Sequence, residues 1–380
     1  MIRIRHQEKS LTQIFLEFFR LGLISFGGPA AHMALMEQEL VSRKKWVNRQ
    51  QFLDFMGGVN LIPGPSATQM TLLIGYRLRG FWGMIVGGLG FIIPAAIITG
   101  VLAFFYTRYQ ALPQLDSILG GIKPAIMAVI AGAILKLGKA AVKSYPLALL
   151  GLLVIAASFA GINELTAIIS AGVAGMIIMR AKDKAACGNV GTLFPLLAAQ
   201  TAISTVAGYS SIQLFWVFFK IGSLLFGTGY VLVAYVNTEL VEGLGWITSE
   251  QLLDAIAIGQ FTPGPVLSSA TFIGYLLDGP KGALIATAGI FLPSWFFILV
   301  LYPFIDRLRK SPLTAAFLDS VNVAAVAIMV VVMLTFSAQV LIAWQPIMIF
   351  ALALIAVFGP WKINPLWIVL GAALTGYLLF

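Results

Sequence analysis

Charge, sulfur and histidine are scarce in this chain of 380 residues. Asp, Glu, Lys and Arg make up 10% of it, with one cysteine, Cys187, and two histidines, His6 and His32. So little charge excludes an ordinary soluble domain, in which about a quarter of the residues are charged. A single cysteine excludes an internal disulfide, and Cys187 reads as an incidental linker residue. The histidines have no metal-ligand company, so no metal site and no cofactor are expected. In quantity there is apolar surface: 59% of residues are hydrophobic and the mean hydropathy is +0.95. The 38 glycines and 17 prolines suit membrane helices, where neighbouring protein satisfies freed backbone groups. The N-terminus is basic (Arg3, Arg5, Lys9) and then apolar, but Glu17 and Arg20 interrupt the run where a signal peptide needs none. No cleavage is expected.

The chain is written twice. Pro63-Gly64-Pro65 recurs as Pro263-Gly264-Pro265, an offset of 200. At that offset Phe18-Phe19-Arg20-Leu21-Gly22 meets Phe218-Phe219-Lys220-Ile221-Gly222, Phe26-Gly27 meets Phe226-Gly227, and Glu39, Trp46 and Asp54 meet Glu239, Trp246 and Asp254. The offset becomes 199 at Gly75-Tyr76 and Pro94 (Gly274-Tyr275 and Pro293), then 201 at Ile162-Asn163 (Ile363-Asn364). The organisation read from this is an N-terminal repeat over 1–180, a linker with one connecting transmembrane helix over 181–211, and a C-terminal repeat over 212–380.

Apolar runs long enough to cross a bilayer, about 17 to 25 residues, lie near 82–106, 117–138, 282–304, 315–337 and 339–358. Tighter ones lie near 146–161, 163–179, 192–208 and 364–380. Two stretches per repeat fit badly. The run from 11 to 41 is interrupted by Phe26-Gly27-Gly28-Pro29, and the run from 48 to 78 by Pro63-Gly64-Pro65. Pro63 and Pro65 each lack an amide donor and push the preceding residue out of the α region, so no helix passes through. Each arm is about a dozen residues, roughly 18 Å, which ends near mid-bilayer. Both read as re-entrant helical hairpins in an all-α polytopic membrane protein. Asn48 with Gln51 and Thr248 with Gln251 mark helix starts by their N-cap and N3 spacing.

Loop charge sets orientation, since short cytoplasmic loops collect Lys and Arg. With the N-terminus cytoplasmic, Arg43, Lys44, Lys45, Arg49, Arg77 and Arg79 stay inside, as do Lys136, Lys139, Lys143, Arg180, Lys182 and Lys184. A crossing at 192–208 then starts the second repeat from the other face. There the loop matching Arg43 to Arg49 holds Glu239, Glu242 and Glu250 without Lys or Arg, while Arg307, Arg309, Lys310 and Lys362 return inside. Similar sequences with opposite loop charge imply an inverted-topology repeat, as in many secondary transporters. The net charge of +9 is then a topology signal, and nucleic-acid binding is not expected.

In such folds the substrate lies near the midplane, held by the ends of broken helices. Helices restarting after Pro65 and Pro265 are expected to present the amides of Ser66, Ala67 and Thr68, and of Val266, Leu267 and Ser268, each N-terminus carrying about half a positive charge. Arg20 and Lys220 lie about ten residues into their arms, where cations are costly and usually functional. The alternative for Arg20 is a structural pair with Glu17 at i,i+3; Lys220 faces Val217 there. Two cations and two helix ends suit a compact divalent oxyanion. Asn60 and Gln260 offer neutral hydrogen bonds beside the breaks. Asp54 and Asp254 are possible proton carriers, or else pair with Arg20 or Lys220 or are solvated. Glu39 and Glu239 are expected in water at arm ends, and Trp46 and Trp246 as interface anchors.

Phe26-Gly27-Gly28-Pro29, the paired Pro-Gly-Pro triplets and Gly75-Tyr76 with Gly274-Tyr275 resemble the chromate ion transporter family in its long form with two fused halves. The resemblance covers nearly the whole chain. It implies a multi-pass carrier of the bacterial inner membrane that moves chromate, commonly outward as a resistance function, with sulfate as an analogue. Family roles fall on Arg20, Gly27, Gly28, Pro29 and both triplets; the second copy, Phe226-Gly227-Thr228-Gly229, lacks the proline. The expected substrate site is Arg20, Lys220, Gly27, Gly28, Asn60, Pro63, Gly64, Pro65, Ser66, Gly227, Thr228, Gln260, Pro263, Gly264 and Pro265. Sulfate or other oxyanion uptake, an anion channel, and a membrane enzyme acting on lipid phosphates are the alternatives. The last usually needs clustered acids, histidines or a metal. Association into a homodimer is left open.

Overall fold

Helix α1 (Leu11–Ile24) starts at a reciprocal cap in which the Ser10 hydroxyl accepts from the Gln13 amide and the Gln13 side chain from the Ser10 amide, both at 3.1 Å. This satisfies two of the donors that a helix start leaves open. The computed structural model describes residues 9–26, 28–59, 61–109, 112–162, 164–182, 210–225, 231–302, 311–361 and 363–380. Arg3, Arg5, His6, Gly27, Asn60, Asn163, Lys184, Cys187, the crossing at 192–208, Phe226-Gly227-Thr228-Gly229, Arg307, Arg309, Lys310 and Lys362 lie outside the described residues, as do the side chains of Pro29, Arg180 and Lys182.

After the break at Ser25 the chain re-enters helix as α2 (Pro29–Met36), which widens into a π-helix at Glu37–Arg43. Helix α3 (Arg49–Val59) begins at the Asn48–Gln51 cap, and α4 (Ser66–Tyr109) begins beyond the proline turn. Three helices complete the repeat: α5 (Pro113–Ala141), α6 (Tyr145–Phe159) and α7 (Glu164–Lys182). The second copy repeats this order. It runs α8 (Ser211–Leu224), α9 (Leu232–Val236) with a π-helix at Asn237–Gly243, and α10 (Ser249–Phe261) from the Thr248–Gln251 cap. Then come α11 (Ser269–Leu301), α12 (Pro312–Val340), α13 (Trp344–Phe358) and α14 (Pro365–Leu379). Among the described residues the chain is helical and has no strand.

Helix α4 is not one straight rod. At Arg79–Gly80 the backbone leaves helical angles and the chain turns back, so that Gly75 lies against Gly83 and Thr71 against Gly87. Helix α11 does the same at Asp278–Gly279, bringing Gly274 onto Gly282 and the Thr271 and Thr287 hydroxyls to 2.7 Å. The limb after each proline turn therefore runs back before the long apolar limb begins. Among the described residues four helices are long and apolar enough to cross a membrane, Ser66–Tyr109, Gln114–Ala141, Val266–Leu301 and Pro312–Val340, and there are shorter apolar ones.

The two copies interleave. Helix α5 packs on α13 and α14 of the second copy, α12 packs on α6 and α7 of the first, and α4 crosses α11. Between apolar helices in lipid the attraction comes mainly from close packing, which small residues permit. Gly121 of α5 and Gly376 of α14 meet backbone to backbone, and Gly175 of α7 sits under Ser320 of α12. Neither repeat stands as a separate body.

Candidate functional site

The two proline turns are held by each other's repeat. Gly64 donates its amide to Leu225 O at 2.6 Å, and Gly264 donates to Ser25 O at 2.7 Å. Leu225 and Ser25 are equivalent positions at the offset of 200, each closing the first helix of its repeat. Each turn thus docks on the broken end of the other half. Both turns are tightly enclosed: Pro63, Gly64 and Pro65 are buried, as are Pro263, Gly264 and Pro265. Gly64 has φ +128° and Gly264 φ +97°, backbone that L side chains rarely adopt.

Polar atoms without protein partners gather along these breaks. Ser25 Oγ, Thr68 Oγ1, Gln69 Oε1, Ser268 Oγ, Ser294 Oγ, Trp295 Nε1 and Gln260 Nε2 are buried and make no hydrogen bond within the described residues. A buried polar atom left unpaired costs about 1 to 3 kcal/mol, so a run of them along two helix breaks favours a polar guest. Gln69 reaches back from the first turn of α4, its Nε2 donating to Pro63 O at 2.7 Å. A Cβ added to Gly64 would fall 2.4 Å from Ser294 Oγ and 2.6 Å from Gln69 Nε2. The second turn differs, since Gly264 faces Ala95, and Ser294 and Ala95 are equivalents at the offset of 199.

The helix starts also differ. In the first repeat Gln69 N makes the opening helical bond to Pro65 O at 2.9 Å, with Ser66 half-buried at the start of the helix. In the second, Val266–Ser268 forms a 3₁₀ turn whose Ser268 amide donates to Pro265 O at 2.9 Å. Of the three amides expected there, Ser268's is already used; tightening to an i to i+3 turn satisfies it locally.

Arg20 and Lys220 are each paired with a glutamate. Arg20 Nη1 is 3.3 Å from Glu39 and 3.7 Å from Glu17, and Lys220 Nζ donates to Glu239 at 2.7 Å. Arg43 joins Glu39 at 3.2 Å and Lys44 joins Glu17. The expectation that Glu39 is solvated is corrected: it is 6% exposed. The π-helix in which it sits sets it against α1, and Glu239 occupies the same turn of the second copy. A glutamate at offset 19 from the cation explains both copies, which the Glu17 pairing alone did not. Burial alone would raise the Glu39 carboxyl, but hydrogen bonds and charge from Arg43 and Arg20 outweigh it and hold the carboxyl below its ordinary range. Its pairing therefore contributes stability above the ordinary carboxylate range and loses it as pH falls through the lowered value. Glu39→Gln is expected to lower stability by roughly 1 kcal/mol near neutral pH, because Arg20 stays half in solvent. Thermal unfolding should show the difference shrinking in acid.

Asp54 and Asp254 part company. Asp54 is half-buried and accepts from Gln50 at 3.1 Å. Asp254 is 2% exposed, accepts from the Tyr106 hydroxyl at 2.8 Å, and lies 3.1 Å from Lys123 Nζ. The cation beside Asp254 is Lys123 rather than Lys220, whose partner is Glu239. Lys123 and Tyr106 escaped the reading of the sequence, although a lysine inside the apolar run 117–138 was itself a signal. Gly28 caps α2 through backbone alone, its carbonyl accepting from Ala31 and His32.

The sequence model described as chromate transporter matches residues 12–176 and again 212–377. A probable chromate transport protein of Synechococcus elongatus is 30% identical over 381 residues, covering 97% of this chain and 95% of that protein. A chromate transport protein of Cupriavidus metallidurans is 30% identical over 378 residues, 98% of this chain and 94% of that one. An uncharacterised transporter of Methanocaldococcus jannaschii is 26% identical over 398 residues, 99% and 96% of the two chains. No solved structure matches.

Proposed function

Because the chain belongs to the chromate transporter family, we propose that it is a secondary carrier of a small divalent oxyanion, chromate moved outward, with sulfate competing as an analogue. It is a multi-pass membrane protein engaged in transport rather than catalysis. The observation that carries the reading is the reciprocal docking of the proline turns, Gly64 on Leu225 and Gly264 on Ser25. Two like halves bound through equivalent atoms are related by a pseudo-two-fold operation, and their opposite loop charges favour an axis lying in the membrane plane. In this reading the arms on either side of each break are re-entrant hairpins in an inner-membrane protein with its N-terminus cytoplasmic.

The oxyanion meets the carrier at the turns. The unpaired hydroxyls there, with Gln260 Nε2 and Trp295 Nε1, are neutral donors, Gln69 Oε1 is an acceptor, and the start of α4 adds the positive end of its dipole. Arg20 and Lys220, each half exposed and balanced by a glutamate, serve at the mouths by attracting the anion. A bare cation finds no carboxylate among the polar groups at the turns. The test is flux of labelled chromate and sulfate in proteoliposomes. Saturable chromate transport that sulfate inhibits is expected; ion currents beyond a carrier's turnover would establish a channel instead, and no chromate movement would end the reading.

A further inference from the structure

Behind the second hairpin lies a polar cavity of about 670 Å³, lined by Tyr106, Asp116, Lys123, Glu250, Gln251, Asp254 and Gln339 among others. It joins the two repeats: Tyr106 and Lys123 come from α4 and α5, while Asp254 and Glu250 come from α10. Lys123 Nζ is shared between Asp254 at 3.1 Å and Glu250 at 2.8 Å. The Glu250 side chain is 75% exposed and Lys123 14%, so Glu250 stands at the mouth and Asp254 at the floor. Asp116, which also lines the cavity, is exposed.

The charges facing Asp254 are therefore one ammonium against two further carboxylates, Glu250 and Asp116, with the Tyr106 hydroxyl as its hydrogen-bond donor. One cation among three acids leaves the cluster two charges short, and a nearly dry carboxylate feels that deficit most. A proton arriving through the cavity meets it at the smallest cost. The sequence does not repeat this arrangement around Asp54, which accepts from Gln50: the equivalents of Lys123 and Tyr106 are Asn322 and Ile305, which supply neither a cation nor a hydroxyl.

We propose that Asp254, with Lys123 as its counter-charge and Tyr106 as its donor, is a proton-binding site of the carrier, fed by this cavity, and that Asp54 has no such part. The inference rests on the transport reading. Hydronium from the cavity gives its proton to the Asp254 carboxylate, leaving water and a neutral acid, and Lys123 loses one of the two carboxylates through which α5 holds α10, keeping only the exposed Glu250. Helix α10 ends at the second proline turn, nine residues from Asp254, so the charge on this side chain biases the seat of Gly264 on Ser25.

The full chain in proteoliposomes, with a trapped pH dye and the membrane potential clamped, measures chromate and proton movement together. Asp254→Asn is expected to cut the proton movement that accompanies chromate at least tenfold, Asp254→Glu to restore it within twofold, and Asp54→Asn to change neither. Tyr106→Phe removes a hydrogen bond to the charged form, so the pH midpoint of transport should rise by about one unit. A monodisperse Asp254→Asn protein with wild-type proton movement overturns the proposal. Should that variant not fold, an unmoved midpoint in Tyr106→Phe does so. Chromate transport by the wild type that follows sodium and ignores pH also overturns it, while wild-type protein that moves no chromate at all refutes the underlying transport reading instead.

Discussion

Gly64→Ala is expected to leave less than about a tenth of wild-type chromate transport, and Gly264→Ala nearly as little. At φ +128° and +97° an L side chain is strained, which costs about 1 to 2 kcal/mol before any contact is counted. Contacts then decide the order. The new methyl of Gly64→Ala lands 2.4 Å from Ser294 Oγ and 2.6 Å from Gln69 Nε2, while that of Gly264→Ala meets Ala95 Cβ at 2.8 Å. Either turn must withdraw from the amide bond that seats it on the other repeat. The protein should still reach the membrane, because the packing of α5 with α13 and α14 and of α12 with α6 and α7 is untouched. Gly100→Ala, with nothing within 4 Å of the added atom, serves as the control and should transport normally. Uptake of labelled chromate into vesicles checks all three.

A larger effect, this time on folding, is expected from Gly75→Leu and Gly274→Leu. The limbs that turn back at Arg79–Gly80 and Asp278–Gly279 touch backbone to backbone: a Cβ on Gly75 would lie 2.2 Å from Gly83 O, and one on Gly274 2.3 Å from Gly282 O. A carbonyl inside a helix cannot step aside as a flexible side chain can. Separating the limbs would also draw the proline turn away from its seat. The loss should exceed about 4 kcal/mol, the range reserved for disrupted cores, and appear as absent monodisperse protein in detergent. Recovery of stable, wild-type-like Gly75→Leu protein would show that the limbs do not pack this way.

Much of this architecture was legible because its signals are local. Pro63 and Pro65 forbid a helix wherever they stand, the Asn48–Gln51 and Thr248–Gln251 caps need only a spacing of three, and duplication exposes equivalents by subtraction. The reversals at Gly80 and Gly279 sat between segments already read as separate. What stayed hidden depends on distance along the chain. Glu39 reaches Arg20 across 19 residues and a π-helical turn that no periodicity announces. Lys123 reaches Asp254 across the repeat boundary, so two aspartates that are equal in the alignment differ in their surroundings. Ser294 over Gly64 arises only because α11 crosses α4. Lys220 looked like a naked intramembrane cation, and Arg20 had only Glu17 beside it, because Glu239 and Glu39 lie on another helix.

The opposite insertion of the halves is tested most directly at Ser42 and Glu242, exposed equivalents at the offset of 200. In a Cys187→Ser background, single cysteines at these positions are treated with a membrane-impermeant maleimide on intact cells and again after permeabilisation. Labelling of Glu242→Cys in intact cells, and of Ser42→Cys only after permeabilisation, is the predicted result. Both sites reacting from the same face would contradict it.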